Sequence, residues 1–112
     1  MIETKGKLNL IYTGDTFSEF NLPEINQELE VNLSWKQPDD WQVLSFTFEY
    51  PELTYHSKLI IDFINGTVNH PDFSIYYADI QNKSGSIQID IGLSLNNDSE
   101  IEHFTLKGLL HH

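Results

Sequence analysis

Three histidines within the chain, His56, His70 and His103, are the side chains best suited to proton transfer or metal binding near neutral pH. Either chemistry needs them to converge with carboxylates. No His-x-His or His-x-x-x-His spacing brings two of them onto one face of an element. His56 and His103 fall on the polar parity of apolar-polar alternations, which reads as solvent-facing. His70-Pro71-Asp72 sits at a break in such an alternation, where a histidine held beside an aspartate can ligate a metal or orient a base; an irregular bulge accounts for the same three residues. Serine has no Gly-x-Ser-x-Gly elbow, Ser84-Gly85-Ser86 reads as a turn, and no glycine-rich phosphate loop occurs. A catalytic carboxylate pair would have to be assembled from separate strands.

Hard oxygen ligands are concentrated at Asp39-Asp40 and in the stretch from Asn96 to Glu100. Asp39, Asp40, Asn97, Asp98 and Glu100 are therefore weak calcium candidates. A calcium ion takes six to eight oxygens gathered from several loops, and the EF-hand spacing is absent. The same residue types are ordinary turn formers. Trp41, at a predicted strand start, and Tyr76 are candidate anchors for a sugar ring or a protein partner. Adjacent Tyr76 and Tyr77 are expected on opposite faces of one strand, leaving one of them exposed. Trp35 shares its parity with apolar residues and is expected in the core.

The elements that must position these residues have a period of two. Leu29, Val31, Leu33 and Trp35 alternate with Glu28, Glu30, Asn32, Ser34 and Lys36, the pattern of a half-buried strand. Gln37-Pro38-Asp39-Asp40 then turns the chain into a strand from Trp41 to Tyr50, giving a hairpin. A strand from Leu53 to Ile64 leads into Asn65-Gly66, a strong hairpin signal. The return strand from Thr67 is interrupted by Pro71, which implies an edge or a bulge. Phe73 to Ile80 carries apolar residues on both parities, as expected of a strand covered on both sides or lining an interface. A turn is expected over Gln81 to Gly85, a strand from Ile87 to Leu95, a polar loop from Asn96 to Glu100 and a final strand to Leu110. The first strand is read at Leu8 to Tyr12. Between them lies an edge strand at Phe17 to Leu22, or alternatively a helical turn at Glu24 to Gln27. The fold class is all-β: a single domain over residues 1–110, an antiparallel sandwich or small barrel of seven or eight strands.

Charge limits the function classes. The 112 residues hold 17 Asp and Glu against 6 Lys, with no Arg, for a net charge of −11. Nucleic acid and anionic membranes are disfavoured partners, because neither the basic footprint nor the guanidinium fork that grips phosphate is present. Cysteine is absent, which excludes disulfides and thiolate metal sites. The N-terminus lacks the pattern of a signal peptide, so a cytoplasmic protein is expected, the alternative being one whose leader has been removed. His111-His112 reads as a tag remnant, and four Asn-x-Ser/Thr sequons read as chance in an Asn-rich chain.

The expectation is a small, acidic, non-enzymatic binding module or inhibitor, without cofactor, that presents an acidic face to a basic protein. In composition it is like bacterial immunity proteins and phage anti-defence proteins. Glu28, Glu30, Asp39, Asp40, Trp41, Glu49 and Glu52 on one hairpin, with Tyr76, are its candidate partner-binding residues. Glu28, Glu30, Glu49, Asp90 and Glu102 are read on outward parities. The alternative is a carbohydrate- or calcium-binding sandwich built from Trp41, Tyr76, the Asp39-Asp40 turn and the Asn96 to Glu100 loop.

Overall fold

Strict alternation over Leu29 to Trp35 satisfies core and solvent together only as a strand with one buried face. The computed structural model, which describes residues 1–15, 26–50, 55–97 and 100–112, contains that strand among eight. They are β1 (Ile2–Asp15), β2 (Asn26–Trp35), β3 (Trp41–Tyr50), β4 (Tyr55–Asp62), β5 (Thr67–Val68), β6 (Phe73–Lys83), β7 (Ser86–Asn97) and β8 (Glu100–His111). All pair antiparallel in one sheet of order β5-β4-β3-β2-β1-β8-β7-β6. Sequential neighbours pair in a meander, and the β1–β8 ladder joins its two halves into a nearly closed barrel. The seam falls between β5 and β6. The fold class is thus the expected one, and a single coiled sheet replaces the two layers of a sandwich.

Inward residues fill the barrel. Leu33, Leu44, Phe48, Leu59, Ile61, Ile91, Leu93, Phe104 and Leu106 are fully buried. Eight strands leave an interior that side chains of this size can fill. Phe48 packs edge-on against Phe73 and Phe104, with ring centroids 5.0 and 5.1 Å apart. On β1, Gly6 takes an inward position where a Cβ would lie 2.7 Å from Leu110 Cδ2, so its missing side chain makes room for the leucine that helps close β1 against β8.

Both barrel ends carry buried polar groups with partners. At the end formed by the β2–β3 turn, Trp35 Nε1 donates to Thr4 Oγ1 at 3.0 Å. At the opposite end the Tyr12 hydroxyl donates to Glu102 Oε2, and Glu102 is only 5 % exposed. This corrects the outward reading of Glu102: it shares the parity of Phe104 and Leu106 and points inward with them.

Several boundaries move. β1 is much longer than Leu8 to Tyr12, and β7 and β8 absorb most of the expected Asn96 to Glu100 loop. Asn26 and Gln27 begin β2, so the helical turn at Glu24 to Gln27 does not extend to them. The edge strand expected at Phe17 to Leu22 lies outside the described residues. The edge reading at Pro71 fits: β5 has only two residues, and β6 follows as the long strand of the seam.

Candidate functional site

β6 carries a β-bulge. Ile75 opposes Leu93 and Tyr77 opposes Gly92, so Tyr76 is the extra residue. The bulge puts Tyr76 and Tyr77 on the same outer face, which overturns their expected placement on opposite faces. They stand above Gly92, where a Cβ would come within 2.3 Å of Tyr77 Cε1 and 2.5 Å of Tyr76 Cζ. A larger residue there would have to displace both rings. The two rings meet edge-on at 5.0 Å, and Tyr76 meets His103 of β8 in the same way at 5.4 Å. Tyr76 is 50 % exposed and Tyr77 38 %. The bulge also shifts the alternation. Phe73 and Ile75 share the inward parity before it, and Ala78 and Ile80 oppose the inward Ile91 and Ile89 after it. That shift is why apolar residues occupy both parities of this strand.

Two carboxylates adjoin the rings. Asp79 of β6 lies directly opposite Asp90 of β7, and Asp90 in turn opposes Lys107 of β8. Directly opposed like charges destabilise a sheet. Asp90 Oδ1 accepts a hydrogen bond from the Tyr77 hydroxyl at 2.7 Å, and the Gln81 amide reaches both Asp79 oxygens at 3.3 Å. Partial burial, and next the hydrogen bond to the Asp90 carboxylate, push the Tyr77 phenol above the ordinary tyrosine range. Tyr77 is therefore a protonated donor at neutral pH. The patch combines two accessible aromatic rings with the carboxylates of exposed Asp79 and half-buried Asp90 beside them, a set able to hold a guanidinium or ammonium group.

Among the described residues, the other expected site residues are not brought together. The hairpin is real, but its strands are ten residues each, about 30 Å at the rise of a strand. Asp39 and Asp40 lie in its turn, whereas Glu28 and Glu49 lie toward its other end. Glu28 pairs with Lys7 at 3.5 Å. Glu30 faces outward on β2, and Glu52 lies outside the described residues. Among the described residues, acidic side chains are spread over both halves of the sheet and do not gather on one face. Trp41 is half-buried against Trp35, with centroids 5.9 Å apart, and packs on the core.

The calcium candidates divide between opposite ends of the barrel. Asp39 holds a positive φ of 68°, and Asp40 Oδ1 accepts from Gln42 Nε2 at 2.6 Å. Asn97 and Glu100 are paired with each other at the other end; their side chains, like the whole of Asp98, lie outside the described residues. At His70-Pro71-Asp72, the ring Nδ1 accepts the Asp72 backbone N–H at 3.2 Å, and the ring packs edge-on against Phe73. The turn holds the imidazole beside the aspartate as expected, with Nδ1 4.0 Å from Asp72 Oδ2 and engaged by the backbone N–H. The backbone of His56 is paired with Glu49, and its side chain lies outside the described residues. Among the described residues, no group of three or more His, Asp or Glu is placed to hold a metal, and no helix is long and apolar enough to cross a membrane.

No protein-family model matches this sequence, and neither the curated proteins nor the solved structures include a match to it.

Proposed function

We propose that this protein is a binding module for a basic protein, and that the outer face of β6 to β8 is its docking surface. The observation that carries the reading is the bulge at Tyr76. It places two tyrosines together over Gly92, one strand step from the opposed Asp79 and Asp90. An arginine or lysine of the partner stacks on a tyrosine face and is neutralised by the carboxylates, which relieves their mutual repulsion on binding. The net charge of −11 adds long-range attraction, which raises the encounter rate and falls with salt. The class of partner is that expected from the composition; the address moves from the β2–β3 hairpin to β6 and β7.

The test is calorimetric titration with an arginine-rich octapeptide at low and physiological salt. The reading predicts that binding persists at physiological salt, and that Tyr76→Ser and Asp79→Asn each weaken it about tenfold, whereas Glu28→Gln and Glu49→Gln do not. Binding that depends on salt alone and falls equally in all four variants would refute the site, because any polycation is attracted to a chain of this charge.

A further inference from the structure

The half of the sheet away from the tyrosines holds a second feature, of opposite charge. The β1–β2 ladder runs from Ile2/Trp35 to Ile11/Asn26, and the β3–β4 ladder reaches Tyr50/Tyr55. The β2–β3 ladder between them stops at Val31/Phe46. An open cleft of about 700 Å³ lies on the outer surface where it stops, a volume suited to a small molecule. Three of the chain's six lysines, Lys5, Lys7 and Lys58, line it. Asn32, Ser45 and Thr47 supply its polar floor.

Surface charge balance does not explain this grouping. Lys7 has Glu30 directly opposite and pairs with Glu28. Lys5 instead opposes Asn32, and Lys58 opposes Thr47; neither forms an ion pair with a described carboxylate. Glu30 is the acidic group of the lining, leaving an excess of positive charge in a chain that is otherwise strongly negative. Asn32 Oδ1 is buried in the floor with no hydrogen-bond partner, a state that costs stability unless a donor arrives. A ligand that meets both demands carries an anionic group for the ammonium groups and a hydroxyl to donate to Asn32.

We propose that this cleft binds a small hydroxylated anion, such as a sugar phosphate or a hydroxycarboxylate. Lys5 and Lys58 take its charge, Asn32 accepts from its hydroxyl, and the Ser45 and Thr47 hydroxyls are within the same floor. Ammonium groups are point charges without a fork, so they serve phosphate and carboxylate alike.

Titration calorimetry with glucose 6-phosphate, citrate and inorganic phosphate tests this. It is run at about 0.15 M salt, where the Debye length of about 8 Å screens the chain's overall charge more than direct contacts. Saturable binding of glucose 6-phosphate or citrate is expected, with whichever binds tighter identifying the anion class. Lys5→Gln and Lys58→Gln should each weaken it about tenfold. Asn32→Ala should remove the preference for the hydroxylated anion over inorganic phosphate, and Tyr76→Ser should leave binding unchanged, which separates this site from the tyrosine face. Circular dichroism melts check that the variants stay folded. No saturable binding by any probe up to about 10 mM, or equal binding by folded Lys5→Gln and Lys58→Gln proteins, overturns the proposal.

Discussion

Asp79 and Asp90 face each other directly across the β6–β7 ladder, on the same outer surface as the paired tyrosines. Cross-strand neighbours have Cβ atoms about 4.5–5.5 Å apart, so two like charges there oppose the pairing that holds them. Replacing one should stabilise the free protein. Asp79→Lys is expected to add about 0.2–1 kcal/mol in urea denaturation at low salt, a gain that shrinks as salt rises. The same variant should lose the basic peptide. A less stable Asp79→Lys protein would mean that the pair is not strained.

Gly92 separates binding from stability. A methyl group there would press on both tyrosine rings. The rings are partly exposed and can swing aside, and alanine is intrinsically better than glycine in a strand. Gly92→Ala is therefore expected to change stability by less than about 1 kcal/mol, while altering the near-ultraviolet circular dichroism of tyrosine and weakening the basic peptide.

The fold was legible wherever alternation is uninterrupted. β3 runs over the expected residues, and β2 and β7 are recognised with shifted ends, because one buried face imposes a period of two on their sequences. The site was not, for two physical reasons. A bulge inserts one residue and moves every later side chain to the other face, so the Tyr76-Tyr77 pair was placed by an alternation that no longer applied. Its trace was present: the apolar residues opposite the inward side chains of β7 change from Phe73 and Ile75 to Ala78 and Ile80 across the two tyrosines. The cleft depends on where the β2–β3 ladder ends, and neither strand's own pattern encodes that. Glu102 shows that parity outranks residue type: a carboxylate in register with Phe104 and Leu106 goes inside when a tyrosine hydroxyl waits there.

That buried pair gives the next prediction. Tyr12→Phe keeps the ring contact with Phe104, whose centroid is 5.3 Å away, but removes the donor to Glu102. It should cost about 1–3 kcal/mol in chemical denaturation. Glu102→Gln retains an acceptor for the hydroxyl and should cost less than Tyr12→Phe.

The turn after β4 gives a pH dependence. The Asn65 side chain and then its backbone N–H, with a further bond from the Ile64 N–H, hold the Asp62 carboxyl below the ordinary aspartate range. A depressed folded-state pKa stabilises the fold fully above the unfolded value of about 4 and loses that contribution as pH falls through the lower folded value. Asp62→Asn should therefore reduce the slope of stability against pH below pH 4 and leave the slope above pH 5 unchanged. Thermal melts across that range check it.

The central claim is that the bulged tyrosine face is where a basic partner docks. Amide and aromatic chemical shifts followed during titration with the arginine-rich peptide at physiological salt test it most directly. The account predicts saturable shifts concentrated at Tyr76, Tyr77, Asp79, Asp90, Gly92 and His103. Shifts spread over the acidic residues of both halves of the sheet, or centred on Glu28 and Glu49 of the β2–β3 hairpin, would contradict it.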